Sequence, residues 1–390
     1  MSFKTLMAVL AAGLFTLPAF AVRGARPSSS AKPVEVLADQ AAVMKHFRAL
    51  GFLAHGGVEK GASERIRSEG RTFPTFSSSF TVGGVTYPFT MIGHPPASGR
   101  AAFIKSVIIP LRMNFVGFGN DHSFDPNPAV TNIVNSPLYV PTSWPGDLYG
   151  QFVESMQRAA FWNLMDREHE WRVRMDRPRI LTTVDVEVTP QTGTLQLDNN
   201  NNPLFGDVLF DFMDSQVQTI LQLLDLDDHT LPIFVTDGVT NQALGYHNAA
   251  LISDDGGNAH LQTYIFTSWL DPALVPPIFA DVSTFNHELA EWTNDPFINN
   301  VVPTWMFPPQ SDPAATCSGN NLLEVGDPQG NGPTFADFPQ ANVSIGGVTY
   351  HLQQLVLWQW FADQVPSSAF GGWFTFPIPQ DLKVPAVYCP

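Results

Sequence analysis

Two hydrophobic periods divide the chain. From Phe73 to about Phe118 apolar residues recur at every second position, the period of a strand with two unlike faces, so this stretch predicts β-structure. Residues 79–82 and 85–91, joined by Gly83-Gly84, read as a hairpin. Residues 103–115 read as a strand broken at Pro110, which has no N–H to offer a ladder. Residues 119–147 are rich in Asn, Asp and Pro and read as loop. Helical spacing appears at 37–50 (Leu37, Ala41, Met44, Phe47, Leu50), from 148 to about 165, and at 208–224. Strands are predicted at 180–188, 194–197, 231–235, 244–252 and 260–267, with Asp254-Asp255-Gly256-Gly257 as the turn between the last two. After Pro276-Pro277 a helix is predicted over 280–293, ending before Asp295-Pro296 because proline bars its continuation. The string Gly-Gly-Val-Thr-Tyr occurs at 83–87 and again at 346–350, which reads as one turn-and-strand solution used twice.

Composition narrows the class. With 44% hydrophobic and 12% aromatic residues the 390-residue chain has ample material for a core, and its net charge of −16 makes it a poor partner for nucleic acid. The charge is uneven: 19 of the 20 basic residues lie at or before Arg179, whereas residues 180–390 hold one base and 23 acids. Residues 1–21 read as a secretory signal, with Lys4, an apolar run from Leu6 to Leu17, and Ala19-Phe20-Ala21 as a small-x-small cleavage site. That run is too short to span a bilayer, so a secreted or periplasmic protein that is not membrane-embedded is expected. In an oxidising setting Cys317 and Cys389, the only two cysteines, are natural disulfide partners that would tie the C-terminal tail to the loop after Trp305. Any metal must then be held by His and carboxylates.

The helix over 280–293 carries such a set. His287 and Glu291 are four apart and share a helical face, so both can reach one cation, while Glu288 stands beside them in the position of the general base of H-E-x-x-H zinc hydrolases. Catalytic zinc takes three protein ligands, so a third is expected downstream: Glu324 or Asp327, in Leu322-Leu323-Glu324-Val325-Gly326-Asp327-Pro328, ahead of Asp295 and Asp312. Glutamate is scarce, 11 residues in all, and three of them (Glu288, Glu291, Glu324) fall between 288 and 324. Two acidic runs, Asp225-Leu226-Asp227-Asp228 and Asp254-Asp255-Gly256-Gly257-Asn258, are possible calcium sites, although neither has the EF-hand spacing. The arginines from Arg167 to Arg179 are interleaved with acids and read as a self-paired surface or strap.

These residues resemble the active-site helix of zincin metallopeptidases. The set Gly245-Tyr246-His247, Thr263-Tyr264-Ile265, His287-Glu288-Leu289-Ala290-Glu291 with Asn294-Asp295-Pro296-Phe297, and Glu324-Val325-Gly326-Asp327 is similar to the motif block of the phosphate-induced protein, or EXORDIUM-like, family of secreted proteins. The resemblance covers about residues 205–330 and implies His287 and Glu291 as metal ligands, Glu288 as base, Glu324 or Asp327 as third ligand, and His247 as a substrate-binding or transition-state group. Glu291 stands where zincin peptidases usually have a second histidine. The expected architecture is α+β: a signal at 1–21, a leader and helix at 22–72, a β-rich region at 73–147, and a zincin-like domain over 148–390 whose start lies between 145 and 180. The expected function is that of a zinc-dependent peptidase-like hydrolase acting on a peptide or protein. The alternative is a non-catalytic secreted or cell-wall-associated binding protein on the same scaffold.

Overall fold

Side-chain alternation along five strands determines which residues meet at the candidate site. In the computed structural model, which describes residues 34–36, 73–165, 171–224, 226–227, 229–253, 259–307, 317–330, 340–379 and 381–389, strand β1 (Ala102–Phe115) lies between β2 (Val184–Val188) and β3 (Thr230–Asp237) and runs parallel to both. Strand β4 (Gly245–Ser253) is antiparallel to β5 (Ala259–Trp269), which in turn runs parallel to β3. Both faces of this sheet are covered. Ile108, Ile233, Val235 and Ile265 enter one core, whereas Val107, Ile109, Phe234, Tyr264 and Phe266 enter the other. Parallel strands buried on two sides carry such near-continuous apolar runs.

Four helices of eight or more residues are present among the described residues: α1 (Asn127–Val134), α2 (Phe152–Ala160), α3 (Phe210–Leu224) and α4 (Ser283–Asn294). Helix α3 seals the second face through Met213, Val217, Ile220 and Leu221, spaced three and four apart. Helix α4 packs on the first through Phe285, Leu289 and Trp292, whose indole N–H donates to Thr263 Oγ1 on β5 at 3.1 Å. The chain is therefore α+β, and β1, from the stretch read as an N-terminal β-rich region, is a central strand of the sheet that carries β4. No described helix is long and apolar enough to cross a membrane.

Several local readings are corrected. Strand β1 is continuous through Pro110, because the residue falls where pairing with β3 ends (Val235 opposite Pro110) and pairing with β2 begins (Val184 opposite Leu111). The stretch 119–147, read as loop, contains α1. Buried Ala129, Val130 and Ile133 give it an apolar stripe, and Pro128 sits in its first turn, where a missing N–H costs nothing. The helix predicted from 148 begins at Phe152, since Leu148–Gly150 pairs instead with Thr142–Trp144. Gln151 caps the helix, its N–H accepted by Glu154 Oε2 at 3.2 Å. Of the arginine-rich run, Arg172 pairs with Glu154 of α2 at 3.4 Å.

The repeated Gly-Gly string forms two hairpins with one geometry. Gly83 and Gly84 have φ of 57° and 82°, Gly346 and Gly347 of 59° and 86°, both turns being two left-handed residues that only glycine adopts without strain. The second hairpin, Gln340–Ile345 with Val348–Gln353, delivers Gln353 to the candidate site. Cys317 and Cys389 are disulfide-bonded, with Cα atoms 5.7 Å apart, and Cys389 N–H donates to Thr304 O at 2.8 Å, so the tail is tied beside Trp305 as expected. The signal at 1–21, the helix at 37–50, residues 166–170, the acidic turn at 254–258 and Asp312 lie outside the described residues.

Candidate metal centre

On α4, His287 and Glu291 stand one turn apart, and His287 Nε2 is 3.1 Å from Glu291 Oε2. Both are buried, as is Glu288 between them. The helix reaches this depth because it crosses β4 at Gly245. A Cβ there would stand 2.6 Å from Thr284 Cγ2 and 3.0 Å from Glu288 Cγ, so only glycine lets helix and strand approach so closely. Two residues on, the pleat turns His247 toward the helix while Tyr246 faces the opposite core. His247 Nδ1 lies 3.4 Å from Glu288 Oε2 and 3.7 Å from Glu291 Oε2. Its Nε2 lies 3.2 Å from the carbonyl oxygen of Asp295. A carbonyl only accepts, so Nε2 carries a proton, and Nδ1 faces the carboxylates, donating to them when the ring is charged and free to ligate when it is neutral.

A loop closes the other side. Gly326 N–H donates to Glu291 Oε1 at 3.0 Å, fixing that carboxylate, and a Cβ on Gly326 would fall on the His287 ring. The loop's two acids diverge. Glu324 Oε2 is 3.8 Å from His247 Nε2, whereas Asp327 Oδ1 is 3.7 Å from His287 Nε2. Gln353 completes the frame: its Nε2 donates to Gly326 O at 2.9 Å, which turns its Oε1 toward His287 Nδ1 at 2.9 Å. His287 Nδ1 therefore carries a proton, which leaves Nε2 facing Glu291 and Asp327 as the nitrogen a metal could use.

Burial and the crowding of these groups set their charge states. Burial lowers the pKa of His287, but Glu291, Glu288 and Asp327 outweigh it and push the imidazole up to about 10. Burial also lowers that of His247, and Glu288, Glu291 and Asp295 again reverse the sign. Burial, reinforced by neighbouring carboxylates, holds Glu324 and Asp327 well above the usual carboxylate range. Glu291 alone is lowered, since His287, His247 and the Gly326 N–H together overcome its burial. Burial takes Asp295 up to about 7 despite backbone N–H bonds from Asn299 and Asn300 at 2.9 and 3.1 Å.

Donor atoms of His287, Glu288 and Glu291 lie within 4.8 Å of one another, and so do those of His247, Glu291 and Glu324, so these buried groups could hold a metal ion. The fit is supported by unmet polar capacity: Glu288 Oε1 and both carboxylate oxygens of Glu324 accept no hydrogen bond although these side chains are 1% and 0% exposed. Buried carboxylate oxygens without a partner are costly unless a cation meets them.

All six residues singled out in the sequence, His247, His287, Glu288, Glu291, Glu324 and Asp327, converge here. Asp295, weighed as a ligand, instead receives the N–H groups of Asn299 and Asn300 with its side chain. Asp227, from one acidic run, accepts from His229 N–H at 3.1 Å and Thr230 Oγ1 at 2.7 Å, the bonds of a turn. Gln353 was missed: it is 66 residues from His287 and no local pattern marks it. Comparison with known proteins gives no match: no family model, no curated protein and no solved structure matches the chain.

Proposed function

We propose that the protein is an exported metal-dependent hydrolase, zincin-like in its H-E-x-x-E helix and acting on peptide or protein substrates. One observation carries the reading: Glu288 Oε1 is buried and without a hydrogen-bond partner, one residue from His287 and three from Glu291. A carboxylate so placed is available to take a proton, and burial raises its pKa above the ordinary carboxylate value. His287 and Glu291, with Asp327 or Glu324, would hold zinc. When bound, zinc supplies Lewis acidity and a nucleophile at neutral pH. The chain's own contribution is orientation: Gln353 fixes the His287 tautomer and the Gly326 N–H fixes Glu291. The signal-like first 21 residues and the disulfide agree with an extracellular or periplasmic setting.

A second reading, a non-catalytic secreted or cell-wall-associated binding protein that keeps the metal, is favoured by a different observation. No residue of the centre is more than 4% exposed. The two readings part at turnover. Metal analysis of the purified protein, with wild type and Glu288→Gln compared on casein and a peptide library, separates them. The hydrolase reading expects bound zinc in both proteins and cleavage by wild type alone. Stoichiometric zinc without Glu288-dependent cleavage leaves the binding protein, and absence of bound metal removes both.

A further inference from the structure

We infer that this centre holds two metal ions, with Glu291 bridging them. The proposal rests on the metal-binding part of the function proposed above and deepens it. Its basis is the position of one oxygen. Glu291 Oε2 stands 3.1 Å from His287 Nε2 and 3.7 Å from His247 Nδ1. Two donors on one tetrahedral zinc, with bonds of 2.0–2.1 Å, stand about 3.3 Å apart, so Glu291 has ligand-like spacing to either histidine. Yet the two histidines belong to different donor sets, and Glu291 is the member both sets share.

The remaining acids divide the same way. Asp327 Oδ1 lies 3.7 Å from His287 Nε2, and Glu324 Oε2 lies 3.8 Å from His247 Nε2, with one donor atom each of His247, Glu291 and Glu324 within 4.8 Å of one another. One ion then takes His287 and Glu291 with Glu288 or Asp327, the other His247, Glu291 and Glu324. A single ion held in the His287 set leaves the His247 set empty. In particular it leaves both oxygens of Glu324, 0% exposed, with no hydrogen bond. Charge points the same way. Five buried carboxylates (Glu288, Glu291, Asp295, Glu324, Asp327) face two imidazoles, and after Arg179 the only basic residue is the exposed Lys383. With all five carboxylates ionised and both imidazoles neutral, as metal binding requires, two divalent cations leave one negative charge and one leaves three. The oxygen-rich second set suits zinc, manganese or cobalt.

The test is stoichiometry together with magnetic coupling. Full-length protein stripped with chelator is titrated with Zn²⁺ and, separately, Co²⁺ or Mn²⁺, and bound metal is measured by mass spectrometry. The expected result is two equivalents per chain, falling to one in His247→Ala and His247→Gln. An exchange-coupled paramagnetic signal should appear at full loading and vanish in those variants, because a shared carboxylate transmits the coupling. The wild-type signal needs no variant, so misfolding of His247→Ala leaves the proposal falsifiable. One equivalent at saturation, unaltered in His247→Gln, overturns the pair of ions and leaves the proposed function standing. No bound equivalent overturns both.

Discussion

Gln353 Oε1 accepts from His287 Nδ1 at 2.9 Å across 66 residues of sequence, and the same side chain donates to Gly326 O at 2.9 Å. One amide thus sets the tautomer of a helix residue and the position of the loop that covers it. Asn286, the neighbour of His287, anchors the amide's own strand by accepting from Gln353 N–H at 2.7 Å. Helix, loop and hairpin form one support for the candidate ligands.

Gln353→Ala should therefore weaken metal binding about 10–100-fold, the usual effect of removing a partner behind a ligand histidine, while the fold survives. Competition with a chromophoric chelator measures it. Affinity within twofold of wild type would show that Gln353 does not orient His287.

Gly326→Ala places a methyl group where the His287 ring sits. The ring or the loop must shift, at a cost of about 1–3 kcal/mol, typical of overpacking. Denaturant unfolding should show the loss, and metal affinity should fall with it. A variant as stable as wild type would mean that the loop yields easily.

The metal-free protein should lose stability as pH rises. A His287 pKa raised to about 10 contributes stability that is complete below its unfolded value near 6.5 and lost through about 10. Asp295, raised to about 7, acts in the same direction between its unfolded value near 3.8 and 7, because its buried carboxylate resists ionising. Bound metal replaces the protons, so the melting-temperature gap between zinc-loaded and chelator-treated protein should widen from pH 6 to pH 9. A narrowing gap would contradict the assignment of His287 as a ligand.

Reduction of Cys317–Cys389, or Cys317→Ser with Cys389→Ser, opens a loop of 72 residues and should cost about 2–4 kcal/mol. Unfolding midpoints with and without reductant measure it. The backbone bonds of the tail to Thr304 and Met306 would weaken with the bridge.

Much of this was legible in the chain. The apolar positions Phe285, Leu289 and Trp292 gave α4 its buried face, and the spacing of His287 and Glu291 placed both on one side of the helix, because three to four residues make a turn. Period-two alternation turned His247 and Tyr246 to opposite faces of β4. The glycines of 83–84 and 346–347 announced their turns. The partition of Glu324 and Asp327 between the two histidines was not legible, nor was the role of Gln353 or the passage of β1 through Pro110. Local periodicity states which way a side chain points. Only the packing of α4 on β4, with the 324–327 loop and the second hairpin closed over it, states what that side chain meets.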